Sequence, residues 1–275
     1  MLVIRNPPIF NHIRPNHHAL NVNLHLRLHL CSKGFTLIEM AIVLIIITLV
    51  VGGALVPLGA QIEQRQRAET QRTLDEIKEA LIGYTLSHGV LPCPSNESAG
   101  IPDGAASSSC TTSIVATGYI PWVTLGVNNH DAWGNLIRYA VATEFADPNN
   151  LFTLSTVTQS ATNTMTQITT HTITIQTRNT AGVTVNLSSA IPAAVLSLGK
   201  NGYGALSSDY IAQSGVPANN PDEKQNTASG SPSYLSRTPA PPGTSATIGG
   251  EFDDIIVWIS PNVLYNRMVA AGRLP

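Results

Sequence analysis

From Phe35 to Ala60 the chain reads FTLIEMAIVLIIITLVVGGALVPLGA, a long apolar run with a single charge, Glu39. A helix rises about 1.5 Å per residue, so this run can cross a hydrocarbon core about 30 Å thick. Nothing else in the sequence restricts the fold as much, because such a stretch must be covered by lipid or by protein. Glu39 sits badly in either setting. A carboxylate inside a membrane helix costs on the order of 2.5–3.5 kcal/mol on insertion scales, and a residue of this kind has a partner or a role. An ordinary signal anchor, a cleaved secretory signal with Gly52 and Ala54 before the cut, or a buried core helix would each account for the hydropathy. None of the three accounts for Glu39 or for the residues leading up to it.

The charge pattern gives the run a direction. Residues 1–34 hold Arg5, Arg14, Arg27 and Lys33 and no acid, a charge of +4 that leaves −6 on the remainder. A basic start ahead of an apolar run keeps the N-terminus cytoplasmic. An acidic remainder argues against nucleic acid as a partner. Two cysteines, Cys93 and Cys110, follow the run. In an oxidising compartment they would form one disulfide; the alternative is two free buried thiols.

Residues 61–89 read as a continuation of the helix. Leu74, Ile77, Leu81 and Tyr84 lie on one face, and Glu63/Arg67 and Arg72/Glu76 are spaced for i,i+4 pairs. Gly89 can end the helix and Pro92 forbids its extension. The whole element would span about 50 residues, or roughly 80 Å. Its first half needs lipid or neighbouring subunits and its second half needs a sheet. Pro57 and the Gly52-Gly53 pair are weak points where it would bend.

Beyond Gly89 the texture turns to Thr, Ser, Val, Ile, Gly and Pro. His171–Arg178 alternates as a strand, Asn179–Gly182 can turn the chain, and Val183 and Val185 would lie on the return strand. Ala194–Leu198 and Ile255–Ile259 are further strand candidates. Cys93–Gly118 and Leu206–Gly250 read as long loops. The expected fold is α+β, one long helix on an antiparallel sheet. The expected organisation is a leader (1–34), a transmembrane helix (35–60), an amphipathic continuation (61–89) and a β-rich globular domain (90–275).

Lys33-Gly34-Phe35-Thr36-Leu37-Ile38-Glu39 resembles the prepilin peptidase site of type IV pilins and type II secretion pseudopilins. The resemblance implies cleavage between Gly34 and Phe35 and N-methylation of Phe35. It also implies that Glu39 pairs with the N-terminal amine of a neighbouring subunit. At 34 residues the leader is long for that family, and Leu20–Leu30 alternates as a strand would, so an unusual leader or a start further downstream is expected. Leu91-Pro92-Cys93-Pro94 is similar to a junction found in a subset of these proteins. Asp131-Ala132-Trp133-Gly134-Asn135 resembles the D-x-W-G-x motif of major pseudopilins, read here as a β-turn with a core Trp. Ser197-Leu198-Gly199-Lys200-Asn201-Gly202 and Asp253-Asp254-Ile255 resemble the two segments that hold calcium in that family. Asn201 stands where the family has an aspartate, and Asn201 and Asp253 are the calcium candidates. Calcium is the one cofactor implied.

No H-E-x-x-H, G-x-S-x-G, P-loop or C-x-x-C occurs, and no catalytic spacing points to an enzyme. The expected function is therefore structural: a pseudopilin or minor pilin cut by prepilin peptidase and held in the inner membrane with its C-terminal domain periplasmic. The inner-membrane assembly machinery would then draw it into a fibre with other subunits. A minor pilin acting as a binding module for a surface, DNA or a secretion substrate is the alternative, and a membrane-anchored periplasmic enzyme is the third reading.

Overall fold

The structure, a computed structural model, describes residues 34–110, 112–147, 173–241 and 249–273, and of 53–58 the backbone alone. The expected leader therefore lies outside the described residues except for Gly34. The chain forms two compact units, Met1–Ala54 and Leu55–Pro275. Helix α1, Leu37–His88, contributes to both.

In the first unit every residue from Gly34 to Gly52 is exposed. Leu37 is 93% accessible and Leu49 72%, so these side chains have no cover among the described residues. Thr48 spends its hydroxyl on the Leu44 carbonyl one turn back, which keeps the run free of an unpaired polar group. Among the described residues no helix is long and apolar enough to cross a membrane. The expected 35–60 span falls partly on 53–58, whose side chains lie outside the description.

In the second unit α1 becomes amphipathic. Leu74, Ile77 and Leu81 are fully buried, as their spacing predicts. The stripe then continues to Thr85, one turn beyond Leu81, and not to Tyr84. Thr85 can be buried because its hydroxyl donates to the Leu81 carbonyl at 2.8 Å. Tyr84 is half-buried and stacks on His88, with ring centroids 3.9 Å apart. The Glu63–Arg67 pair forms at 3.4 Å; Asp75 and Lys78 pair at 2.7 Å. Gly89, at φ +82°, ends the helix as expected and donates to the Thr85 carbonyl at 2.8 Å. Arg273 caps the same end, its Nε reaching the Leu86 carbonyl and an Nη the Ser87 carbonyl, both at 2.6 Å.

The segment after the helix contains a hairpin, β1 (Ser95–Ser98) and β2 (Ile101–Ala106), where a loop was expected. Its turn places Ala99 and Gly100 at φ +51° and +82°, a backbone twist that matches two antiparallel strands. Next come β3 (Val115–Tyr119), the short α2 (Trp122–Leu125), β4 (Arg138–Ala142) and a 3-10 turn at Thr143–Phe145. Beyond these lie β5 (Ile173–Arg178), β6 (Thr184–Ile191) and β7 (Ala193–Ser197). Helix α3 (Pro221–Thr227), β8 (Ser233–Leu235), β9 (Ile255–Ile259) and α4 (Pro261–Ala270) complete the unit.

The strands form a four-stranded sheet in the order β3-β4-β7-β9, antiparallel throughout, and a three-stranded sheet in the order β6-β5-β8. Alternation along the strands of the first sheet divides its two faces. Tyr139, Val141, Val195, Val257 and Ile259 pack with Leu74, Ile77 and Leu81 of α1 and with Leu264 and Met268 of α4. Ala140, Ala194, Leu196 and Ile256 face the other way, onto Ile173, Ile175 and Tyr234 of the second sheet. The fold is thus α+β. The expected hairpin is present as β5 and β6, with Asn179 Oδ1 accepting from the N–H groups of Ala181 and Val183 across its turn. The expectation of purely antiparallel pairing fails at one place, since β8 runs parallel to β5. More than fifty residues separate the two, enough for the crossover a parallel pair requires.

Candidate functional site

Two places concentrate polar chemistry. The first is the start of α1. Thr36 Oγ1 accepts from the Glu39 N–H at 3.2 Å, and Glu39 Oε2 accepts from the Thr36 N–H at 3.4 Å. This is a reciprocal capping box, in which each side chain satisfies a backbone donor that the helix start leaves unpaired. The Glu39 carboxylate also lies at the positive end of the helix dipole. The T-x-x-E spacing was visible in the sequence but was read there only through Glu39. Gly34 and Phe35 are exposed immediately before the cap.

The second place is in the larger unit, where segments far apart in sequence converge. Asp131 is buried, and its Oδ1 accepts from the N–H groups of Trp133 and Asn135, both at 2.9 Å. Its Oδ2 accepts from Ser197 Oγ at 2.6 Å. Burial pushes the Asp131 carboxyl up from its ordinary value, against these hydrogen bonds. Asn135 Nδ2 donates to the Gly199 carbonyl at 2.9 Å. Ala132 N–H reaches Thr70 Oγ1 of α1 at 3.1 Å. The D-A-W-G-N turn and the S-L-G-K-N-G segment are therefore one hydrogen-bonded assembly. Trp133 is half-buried and belongs to neither core cluster, contrary to the expected core Trp.

The network extends to Asp253-Asp254. Asp253 Oδ2 accepts from the Asn201 N–H at 2.8 Å. Gly199, at φ +64°, lies so close that a Cβ there would sit 2.0 Å from Asp253 Oδ1, so only glycine fits. Asn201 and Asp253 are thus adjacent, as the resemblance implied, but they act differently. Asn201 Nδ2 donates to the Glu223 carboxylate at 2.9 and 3.0 Å, and its Oδ1 accepts from the Tyr203 N–H at 3.1 Å. Its side chain serves here as donor and turn former.

The carboxylates that gather are Glu223, Asp253 and Asp254, each offering an oxygen within 4.8 Å of the others. Glu223 also accepts from Asn220 Nδ2 at 2.7 Å and from the Asp253 N–H at 3.0 Å. Asp254 accepts from Asn226 Nδ2 at 2.8 Å. Asp253 Oδ1 is buried with no partner among the described residues. Burial, with the neighbouring acids adding to it, pushes Glu223 up to about 7. Burial likewise pushes Asp253 up to about 6 and Asp254 well above the carboxylate range. Hard oxygen donors, an orphaned carboxylate oxygen and excess negative charge fit a calcium ion. Glu223, Asp253 and Asp254 would hold it and the ion would supply the missing positive charge.

Glu223 was missed because it lies inside Leu206–Gly250, read as loop. A signal was present: Asn220-Pro221-Asp222-Glu223 is a helix start, with an N-cap residue, proline in the first turn and acids behind it. The same turn buries Asp222, which accepts from Nε of Arg178 at 2.8 Å and Nε of Arg237 at 2.7 Å. Arg237 also lies 4.6 Å over the Phe252 ring. Cys93 and Cys110 form a disulfide, their Cα atoms 5.7 Å apart.

Residues 30–55 match the family described as the prokaryotic N-terminal methylation motif. This segment is the type IV pilin and pseudopilin signature. It implies processing by prepilin peptidase and assembly with other pilin subunits. The motif covers Gly34, Phe35, Thr36 and Glu39, so the capping box lies within it. No curated protein and no solved structure matches the chain.

Proposed function

We propose that this chain is a structural subunit, a pseudopilin or minor pilin, that works by assembly and not by catalysis. The observation that carries the reading is the exposed apolar start of α1, with its lone acid Glu39, inside the methylation motif. Prepilin peptidase would cut between Gly34 and Phe35 and the new amine of Phe35 would be methylated. Before assembly the helix would lie in the inner membrane with the larger unit in the periplasm. An oxidising compartment of that kind favours the Cys93–Cys110 disulfide. In the fibre, apolar side chains left exposed among the described residues would be covered by neighbouring helices. Glu39 would then exchange its cap for the amine of a neighbouring subunit, because a buried carboxylate needs a cation.

The test is Glu39→Leu in cells that carry a matching assembly machinery. The variant should insert and be processed like the parent chain yet fail to appear in sedimented fibres. Normal fibre yield from Glu39→Leu would sink the role given to Glu39.

A second reading concerns the larger unit alone. We infer that calcium steadies it through Glu223, Asp253 and Asp254. The unpartnered Asp253 Oδ1 is the observation behind this. Calorimetry of the full chain with calcium should raise the melting temperature, and Asp253→Asn should abolish the rise. An equal rise in the variant would remove the cluster from consideration.

A further inference from the structure

Asn201-Gly202 is the one Asn-Gly pair in the sequence. It lies in the loop after β7, and the fold holds the chain on both sides of the peptide that joins the two residues. Asn201 N–H donates to Asp253 Oδ2 at 2.8 Å, and the Gly202 carbonyl accepts from the Ala205 N–H at 3.0 Å. The Asn201 side chain is fixed as well. Its Oδ1 accepts from the Tyr203 N–H at 3.1 Å. A side chain bonded to its own backbone two residues on folds Cγ back toward the intervening peptide. Nδ2 donates to both oxygens of Glu223, at 2.9 and 3.0 Å. A backbone donor on one side and a carboxylate on the other define the orientation of the amide. Between them, the Gly202 N–H has no hydrogen-bond partner among the described residues. Asn201 is half-buried and lines a cavity of about 450 Å³, so water reaches it.

These are the parts of an intramolecular acyl transfer. The Gly202 nitrogen is a nucleophile with no bond of its own to break, and Asn201 Cγ is the electrophile. The Tyr203 N–H bonds the oxygen on which negative charge develops, and the fold supplies the orientation beforehand. We infer that Asn201-Gly202 is a self-modification site, at which the folded chain converts Asn201 to aspartate with water as the co-reactant. The Gly202 nitrogen gives its proton to water and bonds to Asn201 Cγ. The Cγ–Nδ2 bond breaks, and the nitrogen takes a proton from water and leaves as ammonia. Water then adds to Cγ of the five-membered ring, the bond from Cγ to the Gly202 nitrogen breaks, and that nitrogen regains its proton. One water is consumed and one ammonia is released, with no oxidant or reductant.

The conversion inverts what this side chain offers its surroundings. Where Nδ2 donates to Glu223, and lies 3.5 Å from Glu251 Oε1, a carboxylate oxygen would face both. Acids gathered in this way are relieved by a hard divalent cation, and calcium affinity rises with the number of charged ligands. That gain in affinity rests on the calcium reading above; the conversion itself does not.

The test holds the full chain in detergent near neutral pH in heavy-oxygen water, with samples digested at intervals for mass spectrometry. The peptide containing Asn201 should gain one heavy oxygen as ammonia is released. The rate should be roughly tenfold above that of the same chain unfolded in urea, because orientation comes from the fold. Asn201→Gln, which would need a larger ring, should leave this peptide unlabelled. A folded chain that converts no faster than the unfolded one would overturn the inference, since the pair would then react as it does in any chain. Asn201→Asp should bind calcium roughly tenfold more tightly than freshly prepared parent chain in titration calorimetry. Conversion without calcium binding in either chain would leave the self-modification standing and overturn the calcium reading. Equal calcium affinity in the two chains, or isoaspartate as the main product, would overturn the gain in affinity.

Discussion

In the first unit one carboxylate, Glu39, stands among exposed apolar side chains, whereas in the second Asp131, Asp222, Glu223 and Asp254 are buried among donors. The polar group at the start of α1 has a cap but its apolar neighbours have no cover among the described residues. The larger unit has a covered core, and among the described residues its buried acids are answered by arginines, asparagines, Ser197 and backbone N–H groups, except for Asp253 Oδ1. The lesson is that the two regions reach completion differently. The head closes on itself through contacts of long sequence separation. The apolar start of α1 has a hydrophobic surface left open among the described residues, of the kind that lipid or other chains cover.

That contrast predicts which substitutions damage which region. The largest loss should come from Asp222→Ala, which strands Arg178 and Arg237 in partly buried positions. Removing one member of a buried ion pair costs roughly 3–5 kcal/mol. Urea unfolding of the full chain in detergent, followed by tryptophan fluorescence, would measure it. Next comes Cys93→Ser. Opening a loop of this size should cost about 3 kcal/mol, read in the same assay with and without reductant. A loss well under 1 kcal/mol in both variants would mean that the head is not the self-completed body described above.

A smaller effect should follow pH. Glu223 and Asp253 titrate near 7 and near 6 in the folded chain, above their ordinary values of 4.5 and 3.8. The folded state therefore holds more protons than the unfolded chain between those limits. The stabilising contribution is complete below the ordinary values and is lost as pH rises through about 6 and 7. In the absence of divalent cations the melting temperature should be higher at pH 5 than at pH 8. Calcium should remove most of that difference by replacing the protons. The smallest effect on the head should be that of Glu39→Leu, within about 0.5 kcal/mol, as for a substitution on an exposed surface.

Much of the architecture is legible where local pattern and burial agree. The strand candidate Ile255–Ile259 coincides with β9, and the turn at Asn179–Gly182 is visible from its residue types. Leu74, Ile77 and Leu81 mark the buried face of α1, and only the last residue of that face differs from the expectation. Tyr84 looks like a core residue by type, whereas Thr85 holds the right angular position and hides its hydroxyl on the helix backbone. β8 has three residues, too few to show a period. The carboxylate cluster was only half visible. Asp253 belonged to a motif, but Glu223 reaches it from a helix thirty residues upstream, and nothing local to either residue shows that they meet. At the N-terminus the motif marked Gly34, Phe35 and Glu39, while the cap that Thr36 provides emerged only from the geometry.

The central claim is that α1 begins where a leader is removed, and mass spectrometry of the mature N-terminus tests it most directly. The full chain would be produced together with a prepilin peptidase and the N-terminal peptide sequenced. The account predicts a chain starting at Phe35 with a methylated amine. An intact leader, or a cut near Ala54, would contradict it, and Glu39 would then be no more than the cap of an exposed helix.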